Sequence, residues 1–133
     1  MSTIEQLKLK KLIQTDLEKL ENLFSTSSFE VSTDQTNANS LFEKFLTNKN
    51  ITHSHKDKLV FLDLDVFDFT KADYSIRLHD NKSGTWFDIA DFEIFLSSST
   101  KVPCIGLSLF SKEEDKLYSL YEDEYRWHYY INE

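Results

Sequence analysis

The sequence predicts an α+β fold in which two N-terminal helices pack on one face of a curved antiparallel β-sheet arranged as a meander. Three observations lead there. Apolar residues recur at three- and four-residue steps through residues 3–24, then switch to a period of two from residue 58 onward. The later apolar runs are divided by turn-forming clusters and do not alternate with helices as a parallel sheet requires. Helices first and strands afterwards is the order of an α+β chain. With 133 residues, 40% hydrophobic and 14% aromatic, the chain is read as one domain over 1–133. Within it, 1–58 is helical and near-neutral, and 59–133 is β-rich and acidic.

The first helix carries Ile4, Leu9, Leu12, Ile13, Leu17, Leu20, Leu23 and Phe24, with Ser2 and Glu5 spaced as a capping box. A Ser/Thr/Asn-rich connector covers 25–40, with Phe29 and Val31 marking a short strand. Ser40 and Glu43 offer a second capping box before a short helix built on Leu41, Phe42, Phe45 and Leu46. A polar loop from Asn48 to Asp57 holds His53 and His55. Strands are expected over 58–69, over 74–79 and from Trp86 to Leu96. Asp80 to Gly84 forms a turn between the last two. After a turn at 97–101, Val102 to Phe110 forms the next strand, started by Pro103. Leu117–Tyr121 and Tyr125–Ile131 then read as a hairpin around Glu122-Asp123-Glu124; a helix capped by Ser111 and Glu114 is the competing reading.

Composition removes several function classes. The two glycines, Gly84 and Gly106, cannot build a dinucleotide-binding turn, a P-loop or a nucleophile elbow. A lone Cys104 excludes an internal disulfide and a multi-thiolate zinc site, and it reads as a core thiol. No window approaches the apolar length of a membrane span, and Met1 to Gln6 show no basic lead into an apolar run. A cytoplasmic protein without cofactor is therefore expected, with monomer and dimer both open.

Charge is asymmetric. Residues 1–58 hold eight acids and eight lysines, while 59–133 hold fifteen acids and seven bases, so the formal net charge of −8 belongs to the second half. That half repels phosphate backbones and attracts basic proteins.

Several constellations carry chemistry. Val60-Phe61-Leu62-Asp63-Leu64-Asp65-Val66 resembles the nucleophile motif of haloacid-dehalogenase-like phosphatases. The resemblance implies Asp63 as nucleophile, Asp65 as acid/base with magnesium, and Asp88 and Asp91 as a later acidic pair. This chain departs from the family pattern, with Val66-Phe67 in place of Gly-Thr and 59 residues ahead of a motif that should open the fold. The seven residues are read as an ordinary strand with alternate acids facing solvent. His53 and His55 have metal-compatible spacing, with His79 or His128 as completing ligands, although two histidines in a polar loop are ordinarily solvated. Asp63 or Asp65 in an aromatic pocket would suit acid/base catalysis.

The combination of rings and carboxylates is the stronger signal. Glu113, Glu114, Asp115, Glu122, Asp123 and Glu124 interleave with Tyr118, Tyr121, Tyr125, Trp127, Tyr129 and Tyr130. Trp86, Asp88, Asp91 and Glu93 repeat that chemistry upstream. Rigid aromatic anchors ringed by acids suit a basic partner surface. The expectation is a small acidic inhibitory binding protein without catalytic residues. The physical class is that of immunity proteins covering the active site or an exosite of a basic nuclease-type toxin, or of inhibitors of nucleic-acid enzymes. Partner contacts are assigned to Tyr121, Glu122, Asp123, Glu124, Tyr125 and Trp127, with Trp86, Asp88 and Asp91 second. A dimeric secretion chaperone and a small enzyme with an Asp in a sheet-lined pocket are the alternatives.

Overall fold

A computed structural model describes residues 3–25, 27–47, 53–55, 69, 73–99, 106–122 and 127–132, with the backbone alone described at 53–55, 98, 99, 122 and 127. Three helices are present among them: α1 (Thr3–Leu23), α2 (Thr36–Thr47) and α3 (Phe92–Ser99). The strands are β1 (Phe29–Val31), β2 (His53–His55), β3 (Tyr74–Leu78), β4 (Phe87–Ile89), β5 (Leu107–Ser111), β6 (Lys116–Glu122) and β7 (Trp127–Ile131). They form one open antiparallel sheet in the order β1-β4-β3-β5-β6-β7-β2. The α+β class and the antiparallel sheet agree with the sequence reading. The strand expected over 58–69 lies outside the described residues except for Phe69.

Alternation along the strands divides the apolar residues between two faces. Tyr74, Ile76 and Leu78 of β3 share one face with Phe87 and Ile89 of β4, Leu107 and Leu109 of β5, Tyr118 and Leu120 of β6, and Tyr129 of β7. Leu20 and Phe24 close over this face, with Ile13, Leu17 and Leu23 partly buried beside them, because four-residue spacing aligns them along one side of α1. Burying each such side chain is worth about 1.5–3 kcal/mol relative to leaving it in water. Ile4, Leu7 and Leu12 of α1 stay exposed.

The second face is also covered. Ala38, Phe42 and Phe45 of α2 pack on Trp86, Phe110, Leu117 and Tyr130. The two N-terminal helices therefore take opposite faces instead of sharing one, and α3 joins α1 on the first face through Phe95. The reason lies in the strands. Phe110, Leu117 and Tyr130 point away from α1, and their exposure would cost more than a one-sided sheet could recover.

Two boundaries differ from expectation. Helix α2 starts well before Ser40, where the Asp34 carboxylate accepts the Thr36 N–H and Asn39 N–H bonds the Gln35 carbonyl. Residues 86–96 split into a three-residue strand and α3, because the Asp91 carboxylate accepts the Ile94 N–H as an N-cap and Phe92, Phe95 and Leu96 follow at helical spacing. At the C-terminus the hairpin reading is the observed one. Ser111 does accept the Glu114 N–H, but in a turn that ends at Asp115 with φ 52°, not in a helix.

Candidate functional site

The expected partner surface divides when its residues are placed. Tyr121, Glu122 and Trp127 meet at the end of the β6–β7 hairpin, where Tyr121 pairs with His128 and Glu122 with Trp127. Asp123, Glu124 and Tyr125 belong to the intervening segment, which lies outside the described residues, as does the Trp127 side chain. The half-buried Tyr121 ring stacks on His128 at 5.0 Å and 23°, and it also meets Phe45 at 5.4 Å. Helix α2 thus props this ring from behind. A stacked ring at the end of a hairpin has few torsions left to lose on contact with a partner, which suits an anchor.

The upstream residues do not join that patch. Strands β3 and β5 separate β4 from β6, which puts Asp88 and Asp91 about 14 Å away in the sheet direction. Trp86 needs a correction. It is fully buried, its indole Nε1–H donates to Asn39 Oδ1 at 2.9 Å, and its backbone N–H and C=O are both held by the Gln35 amide. It anchors α2 to the sheet because an indole can satisfy its one donor there while filling a large apolar volume. Tyr118, Tyr129 and Tyr130 are likewise core residues, so most described rings of the acidic half serve packing.

Asp88 and Asp91 have structural partners. Ser75 Oγ donates to Asp88 Oδ1 at 2.7 Å, and Lys112 forms an ion pair with it at 3.1 Å. Burial pushes the Asp88 carboxyl up, but hydrogen bonds from Ser75, Lys112 and Ser32 and the Lys112 charge outweigh it and hold it below the ordinary range. Asp91 caps α3.

A polar chain beneath α2 escaped the sequence reading. His79 Nε2 lies 2.8 Å from Ser108 Oγ, which lies 2.6 Å from Ser119 Oγ. The imidazole sits between Phe42 at 5.6 Å and Phe45 at 5.5 Å, while the Arg77 guanidinium covers Phe42 at 4.4 Å. An imidazole beside a hydroxyl is the geometry of an activated nucleophile. Both serines are completely buried, however, so no substrate atom reaches them and the chain serves to satisfy polar groups across β3, β5 and β6. The signal available in the sequence was the alternation Ser75-Arg77-His79, together with Ser108 and Ser119 among the later apolar runs.

No family model matches the chain, and no curated protein or solved structure matches it either. The remaining candidates stand on geometry alone. His53 and His55 form β2, backbone-paired with Tyr129 and Trp127 of β7, and His79 is engaged by Ser108. Among the described residues no group of three or more His, Cys, Asp or Glu is placed to hold a metal. Asp63, Asp65 and Cys104 lie outside the described residues. No helix among the described residues is long and apolar enough to cross a membrane.

Proposed function

We propose that this protein is an acidic binding protein that blocks a basic protein partner, in the manner of an immunity protein against a nuclease-type toxin, through the end of the β6–β7 hairpin. The observation that carries the reading is the hairpin register. It sets Glu122 across from Trp127, beside the stacked Tyr121 and His128 pair, and Asp123 and Glu124 follow Glu122 in the sequence. Carboxylates in that run would stand in for substrate phosphates in a basic cleft and steer the encounter, while Tyr121 supplies apolar area at its flank. Asp88, Asp91 and Trp86 have no part in this contact.

The test uses the combined variant Glu122→Lys, Asp123→Lys and Glu124→Lys. A partner captured from the native host is isolated, and association is followed by stopped flow at low and high salt. The expected result is association slower by about tenfold or more at low salt, with the difference shrinking at high salt. Rates and salt dependence equal to those of the parent protein overturn the reading.

A further inference from the structure

We propose that the free edge of β1 is a docking site for an extended basic segment of a partner protein, which joins the sheet as a further strand. Strand β1 stands at one end of the sheet order, and among the described residues no strand lies beyond it. Two bonds set its orientation: Ala90 N–H to the Ser28 carbonyl, and Ser32 N–H to the Trp86 carbonyl, both at 3.0 Å. In this antiparallel register Glu30 and Asp88 form the bonded pair between them. Phe29 and Val31 consequently turn their N–H and C=O groups away from β4, toward the open edge. Donor and acceptor pairs two residues apart are the pattern that strand addition reads.

Side chains agree with a missing neighbour. Val31 stands opposite Phe87 on the core-facing side of the sheet, yet it is 45% exposed. Phe29, two residues earlier, is buried against Phe24. Charge selects the occupant. Glu30 is exposed on the other face of β1, Asp34 follows the strand, and Asp91 and Glu93 follow Ala90 at its opposite end, all exposed. Lys112 is held by Asp88.

A second copy of β1 laid antiparallel with Phe29 opposite Val31 would set Glu30 against Glu30, and like charges directly opposite are destabilising. The shortness of β1 and its central carboxylate thus discourage self-pairing, the usual protection of an edge. A segment with Lys or Arg opposite Glu30 and apolar residues opposite Phe29 and Val31 meets no such repulsion and covers the exposed valine. This edge is at the other end of the sheet from the β6–β7 hairpin, so the proposal stands independently of the function proposed above.

The probe is a short synthetic peptide of alternating valine and lysine, with a valine–glutamate peptide as its counterpart. Amide hydrogen exchange is read by NMR at Phe29 and Val31. Saturating valine–lysine peptide is expected to slow exchange at both amides by about tenfold or more, with the valine–glutamate peptide inert. Val31→Pro removes an outward N–H that β4 does not use, so it is expected to abolish binding while the unfolding midpoint stays near that of the parent. Glu30→Lys, a substitution at an exposed site, is expected to reverse the preference between the peptides and serves if the proline variant does not fold. Unchanged exchange at Phe29 and Val31 overturns the proposal, as does equal binding of both peptides. Protection of both amides without peptide, accompanied by a dimer in sedimentation, also overturns it and assigns the edge to a second copy.

Discussion

At the scale of the residue, Asp16 shows what a buried charge is used for. It is nearly inaccessible on α1, where its carboxylate accepts the Lys82 and Ser83 N–H groups and the Ser83 hydroxyl, the last at 2.6 Å. The helix is thereby tied to the Asp80–Gly84 turn, whose own geometry comes from Asn81 Oδ1 accepting the Gly84 N–H and from Gly84 at φ +69°. Burial pushes the Asp16 carboxyl up, but these hydrogen bonds and the Lys19 charge outweigh it, so the carboxyl titrates below its ordinary range. A folded-state value below the unfolded one gives stability that is complete above the ordinary carboxylate range and is lost as pH falls through the lowered value. Asp16→Asn is expected to lower stability at neutral pH by about 1–3 kcal/mol. It should also flatten the acid limb of a plot of denaturant midpoint against pH; an unaltered acid limb would show that Asp16 does not carry it.

At the scale of the element, α2 is the piece whose place the strand pattern concealed. Its short apolar run was legible in Leu41, Phe42 and Phe45, but its start was not, because Asp34 and Gln35 act through bonds to the helix and to Trp86. The helix is held by contacts that no local pattern encodes: Phe45 against Tyr121, Tyr130 and His79, and Asn39 against the indole of Trp86. Phe45→Ala is expected to cost about 3–5 kcal/mol, since the ring is buried among other rings that cannot collapse into its space. Thermal unfolding would measure this, and a loss under 1 kcal/mol, roughly the value for a surface site, would contradict it. Helix α3 gives the complementary lesson. Asp91 followed by Phe92, Phe95 and Leu96 is a legible helix start, and it was overlooked because the flanking strand is equally aromatic.

At the scale of the whole molecule, one sheet carries two apolar layers, with α1 and α3 on one side and α2 on the other. Strands β5, β6 and β7 contribute to both: Leu109 and Phe110 are successive residues of β5, Leu117 and Tyr118 of β6, and Tyr129 and Tyr130 of β7. Neither layer can be lost while the other keeps its strands. Leu20→Ala in the first layer is therefore expected to lower the same transition as Phe45→Ala in the second. Circular dichroism and tryptophan fluorescence should trace coincident curves in both variants. Separated curves would mean that the layers unfold independently.

The sequence by itself determined the α+β class, the first helix, the Asp80–Gly84 turn and the location of the negative charge, and it favoured a C-terminal hairpin over a helix. These are local matters of period, turn chemistry and composition. The tertiary structure decided which helix covers which face and hence which rings are interior. Alternation along a strand names two faces without saying whether water or another helix lies on the far one. Trp86, Tyr118, Tyr129 and Tyr130 read as possible surface anchors for that reason, and α2, packed on the face opposite α1, left Tyr121 as a half-buried ring at the hairpin end.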